Sequence, residues 1–253
     1  MQRCKERKEN QSKSISFCFP AFLCDLCAFA LFALEAVAFK EKTMETTIML
    51  VDDHAVVRMG FRMLLESLPG FKVTAEAGDG ETALQLCADA VPDVVVSDLS
   101  MPGIGGIDFI ERLKSRHPKA RMVVLSAHDE PIFVRRAMAA GALGYLCKRG
   151  APERLVDAVR RVAEGKRYLD PALAERMALE DMDGGDPVEN LTSREFEVFL
   201  QLARGRAVAQ IAKLLFLSPG TVGTHLYHVK QKLGVSNAAE LAMMAVKRGL
   251  IMP

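Results

Sequence analysis

A chain of 253 residues is long enough for two average domains. Half of its residues are hydrophobic and 26% are charged, which excludes a wholly disordered protein. The net charge of +1 conceals an asymmetry: residues 163–188 hold three Lys or Arg against seven Asp or Glu, and residues 189–253 hold eight against four. A basic segment behind an acidic one is typical of a nucleic-acid-binding module that follows a linker.

The first 43 residues differ from the rest of the chain. An apolar run from Ile15 to Phe39 follows a basic start, but Asp25 and Glu35 lie inside it, and each is costly at the centre of a bilayer. A membrane anchor and a signal peptide remain alternatives. The interpretation that we favour is an N-terminal extension, with translation starting at Met44 or with residues 1–43 disordered.

Cysteine usage separates the same two parts of the chain. Four of the six cysteines lie within the first 43 residues, whereas Cys87 and Cys147 are isolated in the remainder. Isolated cysteines build no disulfide framework, so residues 44–253 suit a reducing compartment. We therefore expect a cytoplasmic protein with no membrane segment in residues 44–253.

From residue 44 to 163, short apolar runs alternate with helical periodicity. Ile48–Val51, Val94–Val96, Met122–Leu125 and Gly144–Leu146 are continuous apolar runs, which are typical of parallel strands buried on both faces. Residues 71–75 alternate instead, as in an edge strand. Five strands with five helices predict an α/β domain with a doubly wound, five-stranded parallel sheet.

Polar residues follow the predicted strands where each one ends. Asp52 and Asp53 follow the first strand, Asp98 the third, Ser126 ends the fourth, and Lys148 follows the fifth. Carboxyl ends of parallel strands meet at one edge, so these groups should converge. Three carboxylates beside one ammonium favour a hard cation such as Mg²⁺. Each acid taken alone has a simpler interpretation as a helix-capping or loop residue.

The motifs VDDH at 51–54, VVVSDLSMPGIGG at 94–106, VVLSAHD at 123–129 and GALGYLCKR at 141–149 resemble the receiver domain of two-component response regulators, over residues 47–163. The resemblance implies a flavodoxin-like fold, and it implies that Asp98 accepts a phosphoryl group from a sensor histidine kinase. It also implies that Asp53, Asp98 and the backbone carbonyl of Ser100 hold Mg²⁺, while Asp52 completes the site through water.

Further roles follow from the same resemblance. Lys148 pairs with the phosphoryl oxygens, and Ser126 and Tyr145 match the switch hydroxyl and switch aromatic. An alternative for Tyr145 is a half-buried aromatic on an edge strand. The histidines His54, His117 and His128 lie outside any cluster of ligands in the sequence, and we interpret them as surface or capping residues.

Residues 164–188 form an acidic linker rich in Asp, Gly and Pro near its end, with helical propensity from 171 to 179. A helical module follows over 189–253. Thr192 and Glu195 form a capping box, and Ser218 with Pro219 opens a helix that runs to Leu233. That helix has an apolar stripe opposite a polar face, as in a helix that enters the major groove or in an ordinary amphipathic surface helix. The candidate DNA contacts are Thr221, Thr224, Tyr227, His228, Lys230, Gln231 and Lys232.

The segments LTSREFEVFLQLARG, IAKLLFLSPGTVGTHLYHVKQKLGV and ELAMMAVKRGLI resemble the four-helix LuxR-type helix-turn-helix domain over residues 189–251. Together the two domains resemble transcriptional regulators of the NarL/FixJ/UhpA type. This implies a non-enzymatic regulator that dimerises on phosphorylation and binds promoter DNA, with RNA polymerase as a further candidate partner. Gly223 and Tyr227 depart from the basic residues frequent there, which leaves a phosphoryl-dependent protein-interaction module as the alternative.

Overall fold

The computed structural model describes residues 45–180 and 186–251. The predicted N-terminal extension at 1–43 lies outside these residues. Within the described ranges, no helix is both long enough and apolar enough to cross a membrane.

A fully parallel sheet forms the centre of the N-terminal part. Its strands are β1 (Thr46–Val51), β2 (Phe71–Ala77), β3 (Val94–Ser97), β4 (Met122–Ser126), β5 (Gly144–Cys147) and β6 (Tyr168–Leu169). The spatial order is β2-β1-β3-β4-β5-β6, with β2 at the edge as its alternating pattern predicts. The change of direction beside β1 is the arrangement expected of a doubly wound sheet.

Within residues 45–180, which the structure describes, the sheet has six strands, so the predicted count of five is wrong by one. The additional strand β6 has two residues and pairs with β5 through Gly144↔Tyr168 and Tyr145↔Leu169. Two residues are too few to show any hydrophobic period. The pairing also means that β5 is an interior strand of the sheet.

Five helices cover the two faces of the sheet: α1 (Ala55–Glu66), α2 (Gly80–Asp89), α3 (Gly106–Arg116), α4 (Pro131–Ala140) and α5 (Ala151–Ala163). One core contains Ile48 and Leu50 with residues of α1 and α5. The other contains Met49 and Val51 with residues of α2, α3 and α4. Successive residues of β1 thus point to opposite faces, and both faces are buried.

The C-terminal part is helical, as predicted: α6 (Pro171–Glu180), α7 (Ser193–Ala203), α8 (Val208–Leu214), α9 (Pro219–Leu233) and α10 (Ala238–Lys247). Helix α6 lies in the predicted linker, where helical propensity indicated an ordered stretch. The capping box at the start of α7 is formed as expected, since the Thr192 side chain accepts from the Glu195 amide and Glu195 accepts from the Thr192 amide. Ser218 caps α9 through the Thr221 amide.

Helix α7 packs directly on α3 and α4 of the sheet domain. The rings of Phe133 on α4 and Phe196 on α7 meet edge to face, with centroids 5.4 Å apart. The guanidinium of Arg136 lies 4.1 Å from the Phe196 ring centroid. Ser193 donates a 2.6 Å hydrogen bond to Glu111 on α3. The contact between the two domains therefore contains both apolar and polar groups.

Candidate functional site

The polar residues at the carboxyl edge of the sheet meet in one pocket, which we call the acidic pocket: Asp52, Asp53, Asp98 and Lys148. Lys148 Nζ lies 2.6 Å from Asp52 Oδ2 and 2.7 Å from Asp98 Oδ2. Asp52 and Asp98 are 5% and 4% exposed, whereas the Asp53 side chain is 31% exposed. One ammonium thus bridges two buried carboxylates that come from different strands.

Strand register and the following turn fix the Asp98 side chain. The Asp98 amide donates to Val51 O, which aligns the ends of β3 and β1. Asp98 Oδ1 accepts from the backbone amides of Leu99 at 2.7 Å and Ser100 at 3.2 Å. Because these amides hold Oδ1, the second oxygen, Oδ2, is directed to Lys148.

The charge balance of the acidic pocket favours a further cation. Burial by itself lowers the pKa of Lys148, but its hydrogen bonds to Asp52 and Asp98 and their charges outweigh burial, so the pKa is raised above its usual value. Lys148 therefore stays charged. It offsets one of three carboxylates, and oxygens of Asp52, Asp53 and Asp98 lie within 4.8 Å of one another. Hard oxygen donors at this spacing fit Mg²⁺.

Ser126 and Tyr145 lie beside the acidic pocket and are both fully buried. The Ser126 hydroxyl oxygen accepts from the His128 amide at 3.1 Å, and the Tyr145 hydroxyl donates to the His128 carbonyl at 2.8 Å. Burial raises the pKa of Tyr145. The alternative interpretation of Tyr145 as a half-buried edge-strand aromatic is wrong, because β6 covers β5 and the ring belongs to the core.

Two histidines contact this site more closely than the sequence indicated. His54 Nδ1 lies 2.8 Å from Asp53 Oδ1 and 3.3 Å from Asp52 Oδ1. His128 stacks on Phe133 with centroids 4.1 Å apart, and its Nε2 lies 3.2 Å from Ser100 Oγ. The His128 side chain is 19% exposed and the N-cap of α4 is Glu130, so the interpretation of His128 as a surface or capping residue is wrong. Its place two residues after the strand-ending Ser126 was the signal available in the sequence.

Helix α9 has the two predicted faces. Val222, Val229 and Leu233 are buried, and Leu226 is half-buried. Thr221, Thr224 and Gln231 are exposed on the other side. Tyr227 is 61% exposed. A polar, exposed helix face behind a capped N-terminus is suited to the major groove.

Three of the other candidate DNA contacts have partners within the protein. Lys232 Nζ lies 2.6 Å from Glu195 Oε2, and His228 Nδ1 lies 3.5 Å from Glu195 Oε1. Lys230 donates to the Ser236 carbonyl at 2.8 Å. Because the Glu195 side chain is 5% exposed, Lys232 neutralises a buried carboxylate. Sequence periodicity could not reveal this partner on another helix.

A parallel sheet with an acidic pocket at its carboxyl edge, joined to a helix-turn-helix module, defines a class of two-domain signalling regulators. Comparisons with known families agree with this class. The profile described as "Response regulator receiver domain" matches residues 48–160, and that described as "Bacterial regulatory proteins, luxR family" matches residues 189–245. The chain therefore belongs to the response regulators with a LuxR-type DNA-binding domain, and it is a DNA-binding response regulator of two-component signalling.

Individual relatives match along nearly their whole length. The response regulator UvrY of Escherichia coli K12 is 37% identical over 206 residues, covering 80% of this chain and 94% of UvrY. The transcriptional activator protein ExaE of Pseudomonas putida is 42% identical over 209 residues, covering 81% of this chain and 97% of ExaE. Among solved structures, RcsB of Salmonella enterica, bound to a promoter in the presence of the phosphomimetic BeF3-, is 27% identical with a TM-score of 0.60, over 80% of this chain and 99% of that chain.

Proposed function

We propose that Asp98 accepts a phosphoryl group from a sensor histidine kinase and that this modification controls how the protein binds promoter DNA. The observation that carries the proposal is the Lys148 bridge between Asp52 and Asp98, at 2.6 and 2.7 Å. An ammonium held against the acceptor carboxylate is positioned for the negative charge of an incoming phosphoryl group.

In this proposal, an oxygen of Asp98 forms a bond to phosphorus while the phosphorus–nitrogen bond of the donor phosphohistidine breaks. Lys148 moves from the Asp98 carboxylate to a phosphoryl oxygen, so its charge stays paired. Bound Mg²⁺, held by Asp53, Asp98 and the Ser100 carbonyl, with Asp52 through water, would neutralise charge on the transferred group. Ser126, at the end of β4, donates its hydroxyl hydrogen to another phosphoryl oxygen.

A continuous set of contacts connects the acidic pocket with the DNA-binding domain and supports the control step. The His128 amide binds Ser126, and the His128 ring stacks on Phe133. Phe133 in turn meets Phe196 on α7. A shift of the β4–α4 loop toward a phosphoryl group would therefore move an aromatic pair at the domain contact. Tyr145, bonded to the His128 carbonyl, supports the same loop.

We further propose that the exposed face of α9 enters the major groove, that phosphorylation promotes a homodimer on two half-sites about 34–36 Å apart, and that RNA polymerase is a partner at the promoter. The protein acts in the cytoplasm, where promoter DNA and kinase meet, and it regulates transcription without an enzymatic activity of its own. Thr221, Thr224, Tyr227 and Gln231 are the proposed reading residues, because they are exposed.

The test of the phosphoryl step uses Asp98→Asn. We expect wild-type protein incubated with acetyl phosphate and Mg²⁺ to carry a phosphoryl group that alkali and hydroxylamine remove, and Asp98→Asn to carry none while keeping its circular-dichroism spectrum. An amide of the same shape is a poor nucleophile toward phosphorus. Acyl phosphate detected on the folded variant would remove Asp98 from this role.

A further inference from the structure

The contact between the two domains contains a carboxyl group that the proposed phosphorylation chemistry does not use. Glu197 lies on α7, and its side chain is 15% exposed. It faces Gly105, at the start of α3, so closely that a Cβ on that glycine would overlap Glu197 Oε1. The carboxyl group is therefore pressed against the backbone of the other domain, with no room for a water shell on that side.

Charged groups from both domains surround Glu197. On its own helix, Arg194 Nη1 lies 2.7 Å from Glu197 Oε2 and 2.8 Å from the Gly103 carbonyl. From α3, Asp108 Oδ2 lies 3.3 Å from Arg194 Nε, and Asp108 is held in turn by Arg112 at 2.9 and 3.0 Å. Two carboxyl groups thus share Arg194.

Other titratable groups line the cavity that Glu197 borders, which measures about 270 Å³ and lies between the domains. Asp53 and His128 face it from the sheet domain, and Arg204 and Arg206 face it from the segment between α7 and α8. The two arginines outnumber the one acid, so these cavity groups are net positive. Arg194, the cation in contact with Glu197, is shared with Asp108, which reduces the compensation that it gives to an ionised Glu197.

We propose that Glu197 is a protonation-sensitive latch between the two domains: the neutral carboxyl permits the closed contact, and its ionisation favours separation of α7 from α3 and α4. Closure removes water from the group, whereas separation returns the group to solvent. The proposal is independent of the phosphoryl step, since it concerns the contact in unmodified protein.

The direction of the titration agrees with this geometry. Burial raises the pKa of Glu197 to about 8, because it outweighs the charge and hydrogen bond of Arg194, which lower it, and Asp108 adds to the increase. Once separated from α3, the carboxyl returns to a pKa of about 4.3. The closed state therefore binds more protons. The free energy by which Glu197 favours the closed state is therefore greatest below the pKa of the separated state. It is lost as pH rises through the pKa of the closed state.

The reading face of α9 stays exposed in the closed arrangement, since Thr224 and Gln231 are exposed there and Tyr227 is 61% exposed. The latch consequently does not cover the proposed DNA contacts. It sets instead how freely the DNA-binding domain can reorient, which affects binding to paired half-sites more than binding to one.

Hydrogen–deuterium exchange at the Gly103 amide tests the latch, because this amide donates across the domain contact to Leu214 O at 3.1 Å. The full chain is compared with Glu197→Gln, which keeps the shape and cannot ionise, at each pH from 5.5 to 9. Comparison at equal pH removes the intrinsic pH dependence of exchange. Glu164→Gln, an exposed carboxyl on the sheet domain, is the matched control. No phosphoryl donor or DNA is present, so the result is independent of the proposed function.

We expect the exchange rate of wild type relative to Glu197→Gln to rise with pH by up to tenfold per unit, and to level off above pH 8. Glu164→Gln should follow wild type. The radius of gyration from small-angle X-ray scattering should increase over the same range in wild type and stay constant in Glu197→Gln. A pH-independent ratio, or a Glu197→Gln protein whose radius titrates as wild type does, would overturn the latch.

Discussion

Neutralising Asp53 should stabilise the metal-free protein and abolish its stabilisation by Mg²⁺. Lys148 binds Asp52 and Asp98, whereas Asp53 contacts His54. Oxygens of Asp52, Asp53 and Asp98 lie within 4.8 Å of one another, and two unit charges at that distance repel by about 3.5 kcal/mol at an effective dielectric constant of about 20. Since the Asp53 side chain is 31% exposed and Lys148 is nearby, we discount this to a net gain of about 1–2 kcal/mol for Asp53→Asn without Mg²⁺.

With Mg²⁺ present, wild type should be more stable than Asp53→Asn, the reverse of the order expected without the metal. A ligand at 100 times its dissociation constant stabilises the folded state by about 2.7 kcal/mol, and we expect this gain in wild type and little of it in Asp53→Asn. The measurement is the free energy of unfolding in urea, with EDTA and with a series of Mg²⁺ concentrations. Glu175→Gln, an exposed carboxylate on α6, is the control and should respond as wild type.

Two results would refute this reasoning. If Asp53→Asn is less stable than wild type in EDTA, protein contacts of Asp53 outweigh the repulsion within the acidic pocket. If Mg²⁺ stabilises both proteins equally, Asp53 is not a ligand.

The remaining predictions concern the DNA-binding domain. Gly223→Ala should raise the free energy of unfolding by about 1 kcal/mol, because an added Cβ meets no atom of the described residues within 4 Å; an unchanged or lower value in urea denaturation would contradict this. Gly223→Lys should increase DNA affinity and steepen the salt dependence by about one, as measured by fluorescence anisotropy at several salt concentrations. Lys232→Ala should lower the free energy of unfolding by about 1–2 kcal/mol, since it leaves the Glu195 carboxylate, 5% exposed, without its ammonium. If the urea midpoint equals that of wild type and the salt dependence of DNA binding is weaker, Lys232 is a phosphate contact instead. Tyr227→Ala should change which sequences are bound without changing stability, as selection from a random-sequence DNA library would reveal; an unaltered preference would exclude Tyr227 from base reading.

The acidic pocket at the end of the sheet could be predicted because it depends on features of short sequence segments. Continuous apolar runs specify buried parallel strands, and parallel strands bring their carboxyl ends together, so Asp52, Asp98 and Lys148 were placed by chain position alone. Strand β6 was missed because two residues, Tyr168 and Leu169, pair through the backbone and leave no periodic pattern.

The interface between the domains could not be predicted in this way. Glu197 occupies a helical position typical of a solvated face, and its burial depends on the surface that α3 presents. The contact of Lys232 with Glu195 likewise joins residues 37 positions apart on different helices. Periodicity reports which face of a helix is apolar, whereas partners across two packed elements depend on tertiary geometry.

The proposed control of DNA binding by phosphorylation of Asp98 is tested most directly by a gel-shift titration. Wild type and Asp98→Asn are compared on genomic fragments with paired half-sites and with a single half-site, with and without acetyl phosphate. We predict that acetyl phosphate tightens wild-type binding to paired sites far more than to a single site and leaves Asp98→Asn unchanged. Equal tightening on both kinds of site, or tightening of Asp98→Asn, would contradict the account.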